Sequence, residues 1–171
     1  MSSRIPLPYA PRVLELFQHP ENLGRMEDAT VVATAGSPAC GDMIAFYLKI
    51  DEGKSVIIKS SFESYGCASN IAAASQLTIM IENKTLEEAW NITWGEISEA
   101  LGGLPKIKTH CGSLAVGALR RAIRTYYKET NKELPDWLPP DLTRDEHHAL
   151  EEEALADKLA KKYKLNVPSD E

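Results

Sequence analysis

The run MIAFYLKIDEGKSVIIKSSF, residues 43–62, constrains this chain more than any other stretch. Ile44, Phe46, Leu48 and Ile50 recur at every second position, and Val56, Ile57, Ile58 and Phe62 follow a short break at Asp51, Glu52 and Gly53. A period of two sends alternate side chains to opposite faces, so the run predicts a β-hairpin with one apolar face. Glycine in the break suits the positive φ of a tight turn. Just upstream, DATVVATAGSPACGD reads as another strand entering a Gly/Ser/Pro loop, which predicts a three-stranded antiparallel sheet. Such a sheet is unstable with its apolar face in water, so other elements must pack on that face.

Helices supply the cover. APRVLELFQHPENLGRM opens as a short helix with Pro11 in its first turn, an apolar face of Val13, Leu14, Leu16 and Phe17, and a stop at His19-Pro20. ASNIAAASQLTIMIENK places Ile71, Ala74, Leu77, Thr78 and Ile81 on one side. TLEEAWNITWGEISEAL carries a shorter helical pattern, with Thr85 and Glu88 at capping-box spacing. SLAVGALRRAIRTYYKE aligns Leu114, Ala118, Leu119, Ala122, Ile123 and Tyr126 on one stripe. Strands followed by helices predict an α+β fold, a three-stranded antiparallel sheet with helices packed on it, rather than alternating βαβ units.

The chain changes character near residue 131. Residues 1–130 read as one domain, and 131–171 as a proline-rich linker and an extra, charged C-terminal helix. Thr143 and Glu146 repeat the capping-box spacing, and Leu155, Leu159 and Tyr163 form a narrow stripe that suits docking on its own domain, on a second copy or on a partner. His147 and His148, adjacent in this helix, do not share a face and read as surface residues.

Composition excludes several classes. A net charge of −6 with bases interleaved among acids gives no nucleic-acid footprint. No run approaches the roughly 20 apolar residues of a membrane span, and the N-terminus lacks a signal-peptide core. The expectation is a cytoplasmic protein.

Of the residue types that carry chemistry, the 3 cysteines stand out. Their odd number and wide spacing argue against a disulfide framework. Buried structural thiols are the plain alternative, but Cys40, Cys67 and Cys111 fall at element junctions rather than on the apolar stripes. Cys67 and Cys111 each precede a predicted helix, where unpaired N–H groups and the dipole favour a thiolate or an anionic metal–thiolate centre. Gly66 and Gly112 stand beside them, leaving room for backbone to approach a bulky ligand. Asp42 and His110 are the candidate fourth donors, since three thiolates and one harder donor complete a tetrahedral site. Lys108 alone reads as a solvated loop charge.

SPACGDMIAFYLKID, FESYGCASNIAAAS and IKTHCGSLA closely resemble the three cysteine motifs of the IscU/NifU-type iron–sulfur cluster scaffold proteins. FQHPENLG resembles that family's entry motif, and the likeness runs from about Tyr9 to Lys128. The resemblance implies that residues 1–130 form a scaffold domain with Cys40, Cys67 and Cys111 as cluster ligands and Asp42 or His110 as the variable fourth ligand. It implies assembly of a cluster, a 2Fe–2S centre, from iron and from sulfur delivered by a cysteine desulfurase, with release to recipient apo-proteins. Cys111 is the candidate persulfide acceptor, its thiolate favoured by Lys108 and the helix terminus.

Two departures qualify the likeness. The family's Hsp70-type chaperone motif, leucine-proline-proline-valine-lysine, appears as LPKIK, with Leu104, Pro105 and Lys108 kept and Lys106 in place of the second proline. That weakens the case for chaperone-assisted release. The tail from about Asn131 has no counterpart in the short scaffold proteins. Uninterrupted sequence between Cys67 and Cys111 favours a non-enzymatic scaffold over a SufU-like, zinc-dependent sulfurtransferase using the same cysteines. A structural thiol or metal site in a binding module is the third reading, and a homodimer stays open.

Overall fold

The register of one hairpin organises the molecule. In the computed structural model, residues 9–37, 42–104 and 109–147 are described, the side chains of Ser37 and of residues 109–111 excepted. Strands β1 (Val31–Ser37), β2 (Asp42–Asp51) and β3 (Val56–Tyr65) form a sheet of order β1-β2-β3. Both pairings are antiparallel, with Phe46 opposite Ala33 on one side and Phe62 on the other.

The expected apolar face is present: Ile44, Phe46, Leu48, Ile57 and Phe62 are fully buried. Ile58 departs from it and lies 46% exposed. A register shift explains the difference: Lys49 pairs with Lys59 but Ile50 with Ile57, so Ile58 is the extra residue of a bulge and turns outward. The turn also differs from expectation. Its positive φ, 54°, falls on Ser55 rather than Gly53. Asp51 Oδ1 accepts from the N–H groups of Gly53 and Lys54 at 3.0 and 3.2 Å, which shapes the turn without a left-handed glycine.

Asn22 and Gly24 run beside the β3 edge, with Gly24 N–H donating to Phe62 O at 2.7 Å and Phe62 N–H to Asn22 O at 3.0 Å. On the other edge the Arg121 guanidinium donates to Thr34 O of β1.

Helix α1 (Pro11–Gln18) buries Val13 and Leu16, whereas Phe17 is exposed, so its apolar face is narrower than predicted. Helix α2 (Ala68–Ile81) is buried nearly all round rather than on one stripe, because β3, α1 and α5 surround it. Its run Ala72, Ala73 and Ala74 lets these neighbours approach closely. The next predicted helix is two: α3 (Leu86–Trp90) and α4 (Trp94–Ala100). The expected capping box of Thr85 and Glu88 starts the first, and a second box, Thr93 with Glu96, starts the other. Helix α5 (Thr109–Glu129) buries the predicted stripe from Leu114 to Tyr126.

Beyond α5 the chain folds back. Leu138 is 3% exposed, and the Trp137 ring lies 6.2 Å from that of Trp90 and 6.0 Å from that of Tyr127. Arg120 and Arg124 both stack on Trp90, pairing with Asp145 at 2.9 Å and with Glu146 at 2.6 Å. Thr143 N–H donates to Glu146 Oε2 at 2.7 Å and Glu146 N–H to Thr143 Oγ1 at 3.5 Å, the predicted capping box. The strap thus docks on its own domain through aromatic stacking and paired charges. The remainder of the predicted tail helix lies outside the described residues.

Candidate metal centre

Two of the residues predicted as donors, Asp42 and Cys67, meet at the end of the sheet where β1 passes into β2. Ser37 pairs with Asp42, and Met43 with Tyr65, so Tyr65-Gly66-Cys67 leaves β3 directly beside Asp42. Cys67 is the half-buried N-cap residue of α2, with no cap from its own side chain. Asp42 supplies an acceptor from across the sheet: Cys67 N–H donates to Asp42 Oδ1 at 3.2 Å. A carboxylate at this point complements the positive end of the helix dipole.

Gly66 is required by that contact. A Cβ there would lie 2.5 Å from Asp42 Oδ1 and 3.0 Å from Asn70 Cγ. The glycine therefore admits the Asp42 carboxylate, where the sequence pointed to room for a bulky ligand. Asn70 is fully buried in the first turn of α2, and the Ser64 hydroxyl donates to its Oδ1. Among the described residues, Ser61 Oγ on β3 and, at the start of α2, Ser69 Oγ and Asn70 Nδ2 are buried with no hydrogen-bond partner.

Helix α5 approaches the same end. A Cβ built on Gly36 would lie 2.2 Å from Asp42 O and 3.1 Å from Leu114 Cδ2, which puts the early part of α5 against the β1–β2 junction. His110 and Cys111 lie within the first turn of α5, not ahead of it, because the helix begins at Thr109. Gly112 also departs from expectation. A Cβ there would be 1.6 Å from Trp94 Cε3, so an indole occupies the space expected to be left for a ligand. Trp94 carried no signal as a site residue, being one aromatic in an amphipathic stretch.

Cys40 and Lys108 lie outside the described residues, as do the side chains of His110 and Cys111. Of the predicted donor set, the structure brings Asp42 and Cys67 together. Lys106, the departure in LPKIK, is likewise outside the described residues. Among the described residues no helix is long and apolar enough to cross a membrane.

Fold and site define a small α+β domain with a cysteine and an aspartate in hydrogen-bond contact at one end of a three-stranded antiparallel sheet. Residues 8–133 match the NifU-like N terminal domain, and the chain belongs to that family. The IscU 1 iron–sulfur cluster assembly scaffold protein of Archaeoglobus fulgidus is 47% identical over 124 residues, covering 72% of this chain and 80% of that protein. The IscU scaffold protein of Aquifex aeolicus is 42% identical over 118 residues, 69% of this chain and 75% of its own. The nitrogen fixation protein NifU of Trichormus azollae is 42% identical over 124 residues but matches over only 41% of its length. Among solved structures, the N-terminal part of a NifU-like protein from Brucella abortus superposes with a TM-score of 0.57 at 21% identity, covering 71% of this chain and 96% of that one. That likeness concerns the fold.

Proposed function

We infer that the chain is a scaffold on which an iron–sulfur cluster is assembled and from which it passes to recipient apo-proteins. The observation that carries the reading is the junction of Asp42 with Cys67 at the helix start, in a chain of this family. We assign Cys40, Cys67 and Cys111 as thiolate ligands and Asp42 or His110 as the fourth donor. The cargo is read as a 2Fe–2S centre. Thiolates suit it because they are soft donors, and the N-terminus of α2 favours its negative charge. The partnerless Ser69 Oγ and Asn70 Nδ2 support the reading, since buried polar atoms call for a partner and a bound anionic centre accepts hydrogen bonds.

The residues divide the work. A fourth cysteine would hold iron more firmly than Asp42, so a carboxylate here favours release over retention. Sulfur reaches the site by thiol chemistry. The Cys111 thiolate attacks the outer sulfur of a persulfide on a cysteine desulfurase, takes that sulfur, and frees the desulfurase thiolate. Lys108 is assigned to favour the Cys111 thiolate. The domain spans residues 1–130 with 131–171 as an appendage, and it works in the cytoplasm. Chaperone-assisted release and a homodimer are left to experiment.

Zinc fits the same donors and is the resident metal of the competing sulfurtransferase reading. Anaerobic reconstitution separates the two, because a cluster colours the protein and zinc does not. Spectra of the Asp42→Ala and His110→Ala proteins then assign the fourth ligand. Mass spectrometry after incubation with desulfurase and cysteine tests the sulfur acceptor. A persulfide that forms equally well on Cys111→Ser protein contradicts that role.

A further inference from the structure

We propose that Trp94 is the positioning residue for the cysteine-bearing turn of α5, holding His110 and Cys111 at a fixed helix end while a cluster is built and released. The inference rests on the reading of Cys111 as ligand and sulfur acceptor.

The indole of Trp94 lies on the backbone of Gly112. A Cβ at residue 112 would meet Trp94 Cε3 at 1.6 Å, Cζ3 at 1.9 Å and Cδ2 at 2.2 Å. No residue other than glycine fits under the ring as it stands, although glycine weakens a helix relative to alanine. A helix-weakening residue in the first turns is accounted for by what it admits, here a flat aromatic surface against the main chain.

The clamp is itself held. Trp94 opens α4, whose start is locked by Thr93 and Glu96: Thr93 N–H donates to Glu96 Oε2 at 2.7 Å, and Glu96 N–H to Thr93 Oγ1 at 3.3 Å. Ile97 within α4 and Leu101 at its C-cap are fully buried, so the helix is anchored along its length. Trp94 therefore reaches α5 from a fixed base.

Helix termini fray first, and the turn that carries Cys111 is such a terminus. An indole on position 112 sits about 100° around the axis from position 111. It grips the turn from the side, beside the ligand position and not over it. Contact with backbone restrains the turn itself, whereas contact with a side chain would restrain one rotamer.

The test is a compensating pair of substitutions in the full chain: Trp94→Ala, Trp94→Phe, Gly112→Ala and the double variant Trp94→Ala/Gly112→Ala. Two quantities are read on folded protein, checked by circular dichroism: the half-life of the reconstituted cluster, and the rate at which desulfurase loads sulfur on Cys111. Alkylation of Cys67 serves as an internal control. Trp94→Ala and Gly112→Ala are each expected to lower both quantities about threefold or more, with Cys67 alkylation unchanged. Trp94→Phe, which keeps an aromatic face, should restore most of the loss. The double variant should exceed Gly112→Ala alone, because removing the indole makes room for the methyl group. If Gly112→Ala does not fold, the Trp94 variants alone decide.

Folded Trp94→Ala protein with wild-type half-life and loading overturns the proposal. So does a loss that Trp94→Phe fails to recover. A wild-type chain that takes up neither cluster nor sulfur contradicts the scaffold reading instead, which keeps the two failures apart.

Discussion

Cys67 N–H donates to Asp42 Oδ1 at 3.2 Å, so one carboxylate both caps α2 and stands beside a thiol that opens it. These two uses separate by substitution. Asp42→Ala removes the cap, worth about 1 kcal/mol of stability, and removes the hard donor. Asp42→Asn keeps an acceptor and should hold most of that stability. If Asp42 is the proposed fourth donor that eases iron release, both variants are expected to slow transfer of a reconstituted cluster to apo-ferredoxin. Transfer that is unchanged or faster contradicts the role given to Asp42.

Gly66 reports on the same junction from the other side. Its missing Cβ would lie 2.5 Å from Asp42 Oδ1, so Gly66→Ala must push the carboxylate or the strand end aside. The expected cost is about 1–3 kcal/mol in denaturant unfolding. Adding Asp42→Ala should recover part of it. A Gly66→Ala protein as stable as wild type would mean that the carboxylate is not packed there.

The strap has a pH signature. Burial pushes the Glu146 carboxyl up, but the Arg124 guanidinium together with the N–H and hydroxyl of Thr143 outweighs it, and the group ends below its ordinary value of 4.5. A depressed folded pKa gives stability that is present above the unfolded value and lost as pH falls through the folded one. Thermal unfolding of wild type should therefore weaken below about pH 4.5, and Glu146→Gln should flatten that acid limb. At neutral pH the substitution removes the charged partner of Arg124 but leaves its hydrogen bonds to Pro139 O and Asp141 O, so the expected cost is about 1–3 kcal/mol. An acid limb unchanged by Glu146→Gln contradicts the pairing.

Tyr47 carries the opposite dependence. Burial first, then its hydrogen bond to the Glu63 carboxylate, pushes the phenol from 10.0 up to about 12. A raised folded pKa gives stability that is complete below the unfolded value and lost as pH rises through the folded one. Absorbance at alkaline pH should show Tyr47 ionising at about 12, and Tyr47→Phe should remove that contribution. Wild type and variant with identical alkaline titrations contradict this environment.

Much of this architecture was legible because it follows short rules. The alternation from Ile44 to Ile50 and the stripe from Leu114 to Tyr126 each report a buried face at the period of their element. Both predicted capping spacings, Thr85 with Glu88 and Thr143 with Glu146, close as hydrogen bonds. The readings that failed depended on three-dimensional company. Ile58 turns outward because a bulge displaces it, and a bulge has no period. Helix α2 is buried all round because of what surrounds it. Gly66 and Gly112 were seen as small residues next to cysteines, but their neighbours, Asp42 and Trp94, come from elsewhere in the chain. The junction of Asp42 with Cys67 likewise needed the strand register to place residues 25 apart at hydrogen-bond distance.

The most direct test is anaerobic reconstitution of the full chain with iron and sulfide, followed by mixing with apo-ferredoxin. A cluster scaffold should give a coloured protein with visible absorbance bands that passes its cluster on, and should lose that colour when Cys40, Cys67 or Cys111 is replaced by serine. A protein that stays colourless, or one that colours but never yields its cluster, would contradict the scaffold reading.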